Sequence, residues 1–361
     1  MLRAALVGFP SSGKSTLFQL MTHVKEPPRG KGEVHVGISK VPDPRLDVLT
    51  AMYNPRKRVP ATVEFTDLVA PRTGAQALVD VAGYKNADAL VHVVRAFREV
   101  AVPHPSGPID PARDAQAMED ELILADLAVA ERRLERLDKD IKKLHAAELK
   151  QERDLVQRCR AALEEGRPLR ALELDGDDRK RLRGFQFLSA KPLLLVINLD
   201  EADVAAAGPG VEAAAAHTGL TGFLARAATG AVALGATIEL EIAQLEPGEA
   251  SAFLADLGLA DSGLDRVIRA TYDLLGFISF FTVGEDECRA WSIARGTIAQ
   301  AAAGEIHTDI QRGFIRAEVV PYDALVARGS MAACREHGEV RLEGKEYVVQ
   351  DGDIINVRFA T

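Results

Sequence analysis

The stretch "GFPSSGKS", residues 8–15, sets Gly8, Gly13, Lys14 and Ser15 at the spacing G-x-x-x-x-G-K-[ST]. Those residue types at that spacing suit phosphate chemistry. A tight loop that turns consecutive backbone N–H groups inward cradles an anion, and glycines permit the φ values this needs. A helix opening at the end of the loop adds the positive end of its dipole. Lys14 can then reach the outer phosphates, and the Ser15 hydroxyl can complete a Mg2+ shell. The surroundings fit. The apolar run "LRAALV" (2–7) reads as a strand before the loop, and helical apolar spacing follows from Lys14 to Val24.

Further along, "NLDE" (198–201) closes another apolar run, "KPLLLVINLDE". P-loop proteins that read guanine carry Asn-Lys-x-Asp at such a strand end, and the Asp accepts two hydrogen bonds from the base. Here Asn198 is kept, Leu199 replaces the Lys and Glu201 replaces the Asp. A carboxylate one methylene longer loses the guanine geometry, and Leu199 suits apolar contact with a base. This reading favours ATP over GTP. GTP remains the alternative, and an ordinary strand-end turn is the reading without a ligand.

The elements that must hold these residues are visible in the hydrophobic pattern. "TVEFTDLV" (62–69) and "ALVHVVRAF" (89–97) are rich in β-branched residues and flanked by turns. Apolar strands separated by helical segments point to an α/β fold with a mostly parallel sheet. "KEPPRGKGEVHVG" (25–37) reads as a loop. Between 111 and 166 the chain is nearly free of Gly and Pro. Leu127, Leu134, Leu137, Ile141 and Leu144 recur there at heptad-like spacing, and Leu155, Cys159 and Leu163 form a second stripe. Two antiparallel coiled-coil helices projecting from the sheet are expected, with one long solvated helix as the alternative.

After Gly276 the texture changes to short runs with Gly-containing turns: "FISFFTV", "CRAWSIA", "FIRAEVV", "KEYVVQ" and "DIINVRF". They carry no nucleophile or phosphate loop and predict a small α+β binding module. Phe277, Phe280, Phe281, Trp291 and Phe314 are expected in its core, with an exposed docking face as the alternative. Arg312, Arg316 and Arg341 are its candidates for contact with RNA. The expected boundaries are 1–110 with 185–276 for the nucleotide-binding domain, 111–184 for the helical insertion and 277–361 for the module.

With 361 residues and a net charge of −9, the chain is a poor candidate for wrapping bare nucleic acid. Three cysteines without metal-ligand spacing read as free thiols. No apolar run approaches a membrane span and no signal-peptide layout opens the chain, so a cytoplasmic protein is expected.

At full length the sequence resembles the YchF/Obg-like ATPase family. The matching stretches include "GFPSSGKST", "VPDPRLD", "VPATVEFTD", "NLDE", "GLDRVIRATYDLLG", "AAGEIHTDIQRGFIRAEVV" and "EGKEYVVQDGDIINVRF". The resemblance implies a GTPase-like α/β domain, a coiled-coil insertion and a C-terminal β-grasp module of the TGS type. It also implies slow ATP hydrolysis and ribosome association. Carried over by residue, the phosphate loop matches at Gly8, Pro10, Gly13, Lys14, Ser15 and Thr16, with Ser11 and Ser12 in place of the usual Asn-Val. "GATIE" (235–239), with Ala236, falls at the last base-proximal loop. Asp67 corresponds to the Asp that supports Mg2+, and His104 stands where a water-positioning histidine has been proposed. An exposed loop histidine is the alternative for His104, and a structural role is expected for His307.

The switch regions depart from the family. Lys31 stands at the position of the first switch threonine. Ala70 replaces the switch glycine and Pro71 follows it, in a second loop about five residues short. Proline restricts the residue before it, and Ala disfavours φ above zero. Triphosphate sensing is therefore expected to be impaired, and a nucleotide-binding protein that has lost hydrolysis is the rival to a slow ATPase.

Overall fold

The computed structural model describes residues 2–24, 34–68, 84–99, 101–144, 146–207 and 210–360. Lys31, Ala70 and Pro71 lie outside them. Up to the helical insertion the chain runs β1 (Leu2–Val7), α1 (Lys14–Thr22), β2 (Val34–Lys40), α2 (Pro44–Tyr53), β3 (Lys57–Val59), β4 (Thr62–Leu68) and β5 (Ala89–Arg95). The insertion holds α3 (Pro111–Leu144) and α4 (Ala147–Glu164), and β6 (Leu193–Asn198) and β7 (Thr229–Leu234) follow. Two compact units form, residues 2–38 with 64–274 and residues 39–63 with 275–361.

In the first unit the sheet runs β2-β4-β1-β5-β6-β7. The pairs β1–β5, β5–β6 and β6–β7 are parallel. Every residue of β5 and β6 is buried, as their unbroken apolar runs require. The loop expected over 25–37 is corrected at its end, because Val34–Lys40 is a strand. Its apolar residues Val34, Val36 and Ile38 are about half exposed, while His35 and Ser39 are buried. That inverted alternation, behind a Pro- and Gly-rich lead-in, hides the strand from a hydrophobicity reading.

The α3–α4 pair buries Ala130, Leu134 and Leu137 against Leu155, Val156, Cys159 and Leu163. Arg133 adds a bidentate pair with Glu152 across the two helices, at 2.7 and 2.9 Å. The first turns of α3 do something else. Ala115, Met118 and Leu122 pack in the core of the sheet, with Leu90, Val94 and Leu195. The expected boundary at 111 is therefore corrected: α3 begins as a sheet-covering helix and becomes a hairpin arm near Ile123.

The second unit is a mixed sheet, formed with β8 (Phe277–Thr282), β9 (Glu287–Ala294), β10 (Phe314–Pro321), β11 (Arg341–Glu343) and β12 (Asp353–Phe359) in the order β11-β10-β12-β8-β9-β3. Residues 39–63, expected in the nucleotide-binding domain, belong here. β3 pairs in parallel with β9 at Lys57–Glu287, Arg58–Cys288 and Val59–Arg289. "KEYVVQ" is not a strand; it contributes one bridge, Ile298 to Val348, and β11 is the strand instead. Phe280, Phe281 and Phe314 are buried as expected, while Phe277 and Trp291 are half-buried. Buried polar groups here are well partnered. Glu318 accepts hydrogen bonds from Arg335, Asn356 and Arg358, and Asp353 from Tyr347 and Gln350. Arg341 reaches the Tyr347 hydroxyl at 2.9 Å, so that cation is held within the unit. His307 accepts from the Asp309 N–H and caps the helix Thr308–Arg312, a structural role. Among the described residues, no helix is long and apolar enough to cross a membrane.

Candidate functional site: a phosphate loop held from behind

The phosphate loop joins β1 to α1, and its shape rests on two glycines. Gly13 has φ 98°, and a Cβ there would lie 2.5 Å from the Asn198 side-chain nitrogen. Gly8 has φ 142°, and its Cβ would lie 2.5 Å from the Val93 carbonyl. Neither position admits a side chain without displacing backbone or a buried amide.

Lys14 is buried and donates to the carbonyls of Gly8 (2.8 Å) and Phe9 (3.0 Å), so it folds back over its own loop. Burial lowers its ammonium to about 8, and the nearby Asp67 opposes that shift. Ser15 donates to Asp67 Oδ2 at 2.8 Å. Asp67 is fully buried, and its Oδ1 has no hydrogen-bond partner among the described residues; the buried Ser12 hydroxyl has none either. An open carboxylate oxygen beside a serine hydroxyl suits a divalent cation that takes its other ligands from phosphate and water. Among the described residues, no group of three or more His, Cys, Asp or Glu side chains is placed to hold a metal ion.

Asn198, at the end of β6, donates to the Ser12 carbonyl (3.0 Å) and accepts from the Ala236 N–H (3.0 Å). Its side chain thus ties the phosphate loop to the turn after β7. The structure corrects the expectation for Leu199. Its N–H bonds the Leu234 carbonyl at 2.8 Å, continuing the pairing of β6 with β7. The side chain is 2% exposed and packs in the sheet's core, so in this conformation it is not open to a base. Glu201 begins the helix Glu201–Ala207 and is exposed, as are Ser11 and Ser15; Pro10 and Thr16 are half-buried.

The His104 imidazole is not exposed. Its side chain is 2% accessible, Nε2 lies 2.9 Å from Asp114 Oδ2 in the first turn of α3, and Nδ1 accepts the Ser106 N–H at 3.2 Å. Burial, the largest influence, lowers its pKa, and Asp114 opposes. Both ring nitrogens are engaged, which corrects the exposed-loop alternative.

Two residues of the site escaped the sequence reading. His92 on β5 is buried behind Gly8, and burial with the neighbouring Lys14 charge pushes it down to about 3. Arg95, the last residue of β5, is 2% exposed, and its guanidinium reaches the carbonyls of Ser11, Phe97, Glu99 and Val102. A charge closing an otherwise apolar strand is the signal that could have found it.

The family model described as "YchF-GTPase_C: Protein of unknown function (DUF933)" matches residues 277–360. A curated relative, "Ribosome-binding ATPase YchF" of Bacillus subtilis, is 41% identical over 99% of this chain and 99% of its own. "Obg-like ATPase 1" of Oryza sativa subsp. japonica is 34% identical over 99% of this chain and 92% of its own. The solved "Structure of the Schizosaccharomyces pombe YchF GTPase" is 28% identical and superposes with a TM-score of 0.84, over 99% of this chain and 97% of that one. A P-loop GTPase-like fold and relatives that match from end to end bear out the resemblance read from the sequence: the chain belongs to the YchF family.

Proposed function

We propose that this chain binds ATP with Mg2+, hydrolyses it slowly and acts on a ribosomal surface. The single observation that carries the nucleotide reading is the buried Asp67 carboxylate, hydrogen-bonded to Ser15 on one oxygen and open on the other, beside a folded-back Lys14. Ser15 and Asp67 would hold the cation, Asp67 through water. Bound there, Mg2+ would neutralise charge on the outer phosphates. Lys14 would leave the carbonyls of Gly8 and Phe9 for phosphate oxygens, and the loop N–H groups would hold the rest.

The choice of adenine rests on Glu201 at the place of the guanine-reading Asp and on the names of the relatives from Bacillus subtilis and Oryza sativa, which say ATPase. The Schizosaccharomyces pombe protein is titled a GTPase, which keeps GTP as the rival. The ribosomal partner is carried over from the bacterial relative's name. A second reading, binding without turnover, draws on one observation: the His104 ring is held by Asp114 and Ser106 and must break away to meet water.

The test is phosphate release from ATP by the purified full-length chain, beside Lys14→Ala and His104→Ala. Metal-dependent turnover lost in Lys14→Ala supports the ATPase. Tight ATP binding with turnover no higher than in Lys14→Ala supports the second reading.

A further inference from the structure

Arg95 holds its guanidinium in the interior with no ion-pair partner among the described residues. Nη2 lies 2.8 Å from the Val102 carbonyl and 3.4 Å from that of Glu99, Nε 3.3 Å from Phe97 and Nη1 3.4 Å from Ser11. The guanidinium also stacks over the Phe97 ring, 4.5 Å from its centroid. For stability alone, an apolar residue at this depth serves as well or better than a buried charge. The contact with Ser11 supplies a different reason. Ser11 sits at φ 64°, in the left-handed region that non-glycine residues avoid, so something must hold it there.

A trans peptide sets its C=O and the next N–H antiparallel. A donor that pins a loop carbonyl from behind therefore aims the following N–H forward. Asn198 pins the Ser12 carbonyl and so directs the Gly13 N–H. Arg95 pins the Ser11 carbonyl and so directs the Ser12 N–H. The two side chains clamp successive peptides of the cradle.

We infer that Arg95 is a positioning residue for polyphosphate: it presets the Ser11–Ser12 peptide of the phosphate loop, and its uncompensated charge favours an anion on the loop's far side. This rests on the phosphate-loop reading above. The preorganised donors act before the ligand arrives, so their removal falls on the phosphates and not on the base.

The experiment is calorimetric titration of the full-length protein and of Arg95→Gln and Arg95→Lys, with ATP·Mg2+ and with pyrophosphate·Mg2+, alongside melting temperatures. Arg95→Gln is expected to weaken both ligands by similar factors of at least about tenfold, and Arg95→Lys to recover part of each. Wild-type affinity in Arg95→Gln overturns the inference. So does a loss for ATP that pyrophosphate does not share. If Arg95→Gln does not fold, Arg95→Lys decides: it keeps the charge but lacks the fork, and affinities equal to wild type contradict the role. If neither variant folds, Arg95 serves the fold alone and the inference falls. A wild-type protein that binds neither ligand removes the phosphate-loop reading itself, a separate failure.

Discussion

The two units treat their buried polar atoms differently. In the C-terminal unit, Glu318 meets two arginines and an asparagine, and Asp353 meets Tyr347 and a backbone N–H. In the nucleotide unit, Asp67 Oδ1, the Ser12 hydroxyl and His92 Nε2 lie buried around one loop without partners among the described residues, and Arg266 Nε lacks one elsewhere in that unit. The Tyr53 hydroxyl is an exception in the C-terminal unit, but it stands alone. Buried polar groups are nearly always satisfied, so a cluster of open ones marks a place completed by something else. Polarity in the C-terminal unit builds the fold, whereas around the phosphate loop it fits the nucleotide and cation proposed above.

The largest effects that could break this contrast lie in the loop. Lys14→Ala removes bonds to charged oxygens worth roughly 1.5–3 kcal/mol each, so ATP binding should weaken by at least about 100-fold, with the melting temperature of the nucleotide-free protein unchanged or raised. Gly13→Ala drives a Cβ toward Asn198 at φ 98° and should cost at least about tenfold in ATP affinity, the equivalent of 1.4 kcal/mol. Calorimetry reads both, and wild-type affinity in either variant contradicts the cradle.

Asp67→Asn sharpens the contrast next. It should lower the Mg2+ dependence of ATP binding while leaving any metal-free binding close to wild type, as a titration with and without EDTA would reveal. An unchanged metal dependence removes Asp67 from the cation's surroundings. Glu318→Ala probes the other side. Two arginines lose their carboxylate, and unfolding should become easier by roughly 1–3 kcal/mol in denaturant melts. ATP affinity should stay as it was; a large loss would mean that the two units do not divide their roles.

The smallest effect is one of pH. Lys14 in the folded protein loses its proton near 8, against 10.5 for its ordinary value. Above pH 8 a phosphate must restore that proton, so ATP affinity should fall with rising pH, by at most about tenfold per unit. Stability moves the other way. Between 8 and 10.5 the unfolded chain holds more protons than the folded one, so Lys14 makes the nucleotide-free protein more stable as pH rises. Titrations at pH 7 and pH 9, with Lys14→Arg as the comparison, separate this from other groups.

Much of the nucleotide unit is legible in the sequence, because central parallel strands must be apolar along their whole length and phosphate loops tolerate few residue types. "ALVHVVRAF" and "KPLLLVINLDE" announce themselves for the first reason, Gly8, Gly13 and Lys14 for the second. What stays hidden depends on partners distant in the chain. β2 carries its valines outward, so its alternation points the wrong way. α2 and β3 sit between strands of one unit and join the other, which only the pairing with β9 reveals. Leu199 looks like a base contact until the bond to Leu234 shows β6 continuing one residue further. Arg95 lies 84 residues from the carbonyl it pins, beyond any local pattern.

On the function proposed above, ATP with Mg2+ completes the open polar atoms around the phosphate loop. Calorimetric titration of the full-length protein, cleared of bound nucleotide, with ATP·Mg2+ and separately with GTP·Mg2+ tests it most directly. ATP is expected to bind at least about tenfold tighter than GTP, and both at least about 100-fold more weakly to Lys14→Ala. GTP winning by that margin would overturn the reading of Glu201, and binding of neither nucleotide would contradict a nucleotide site at this loop.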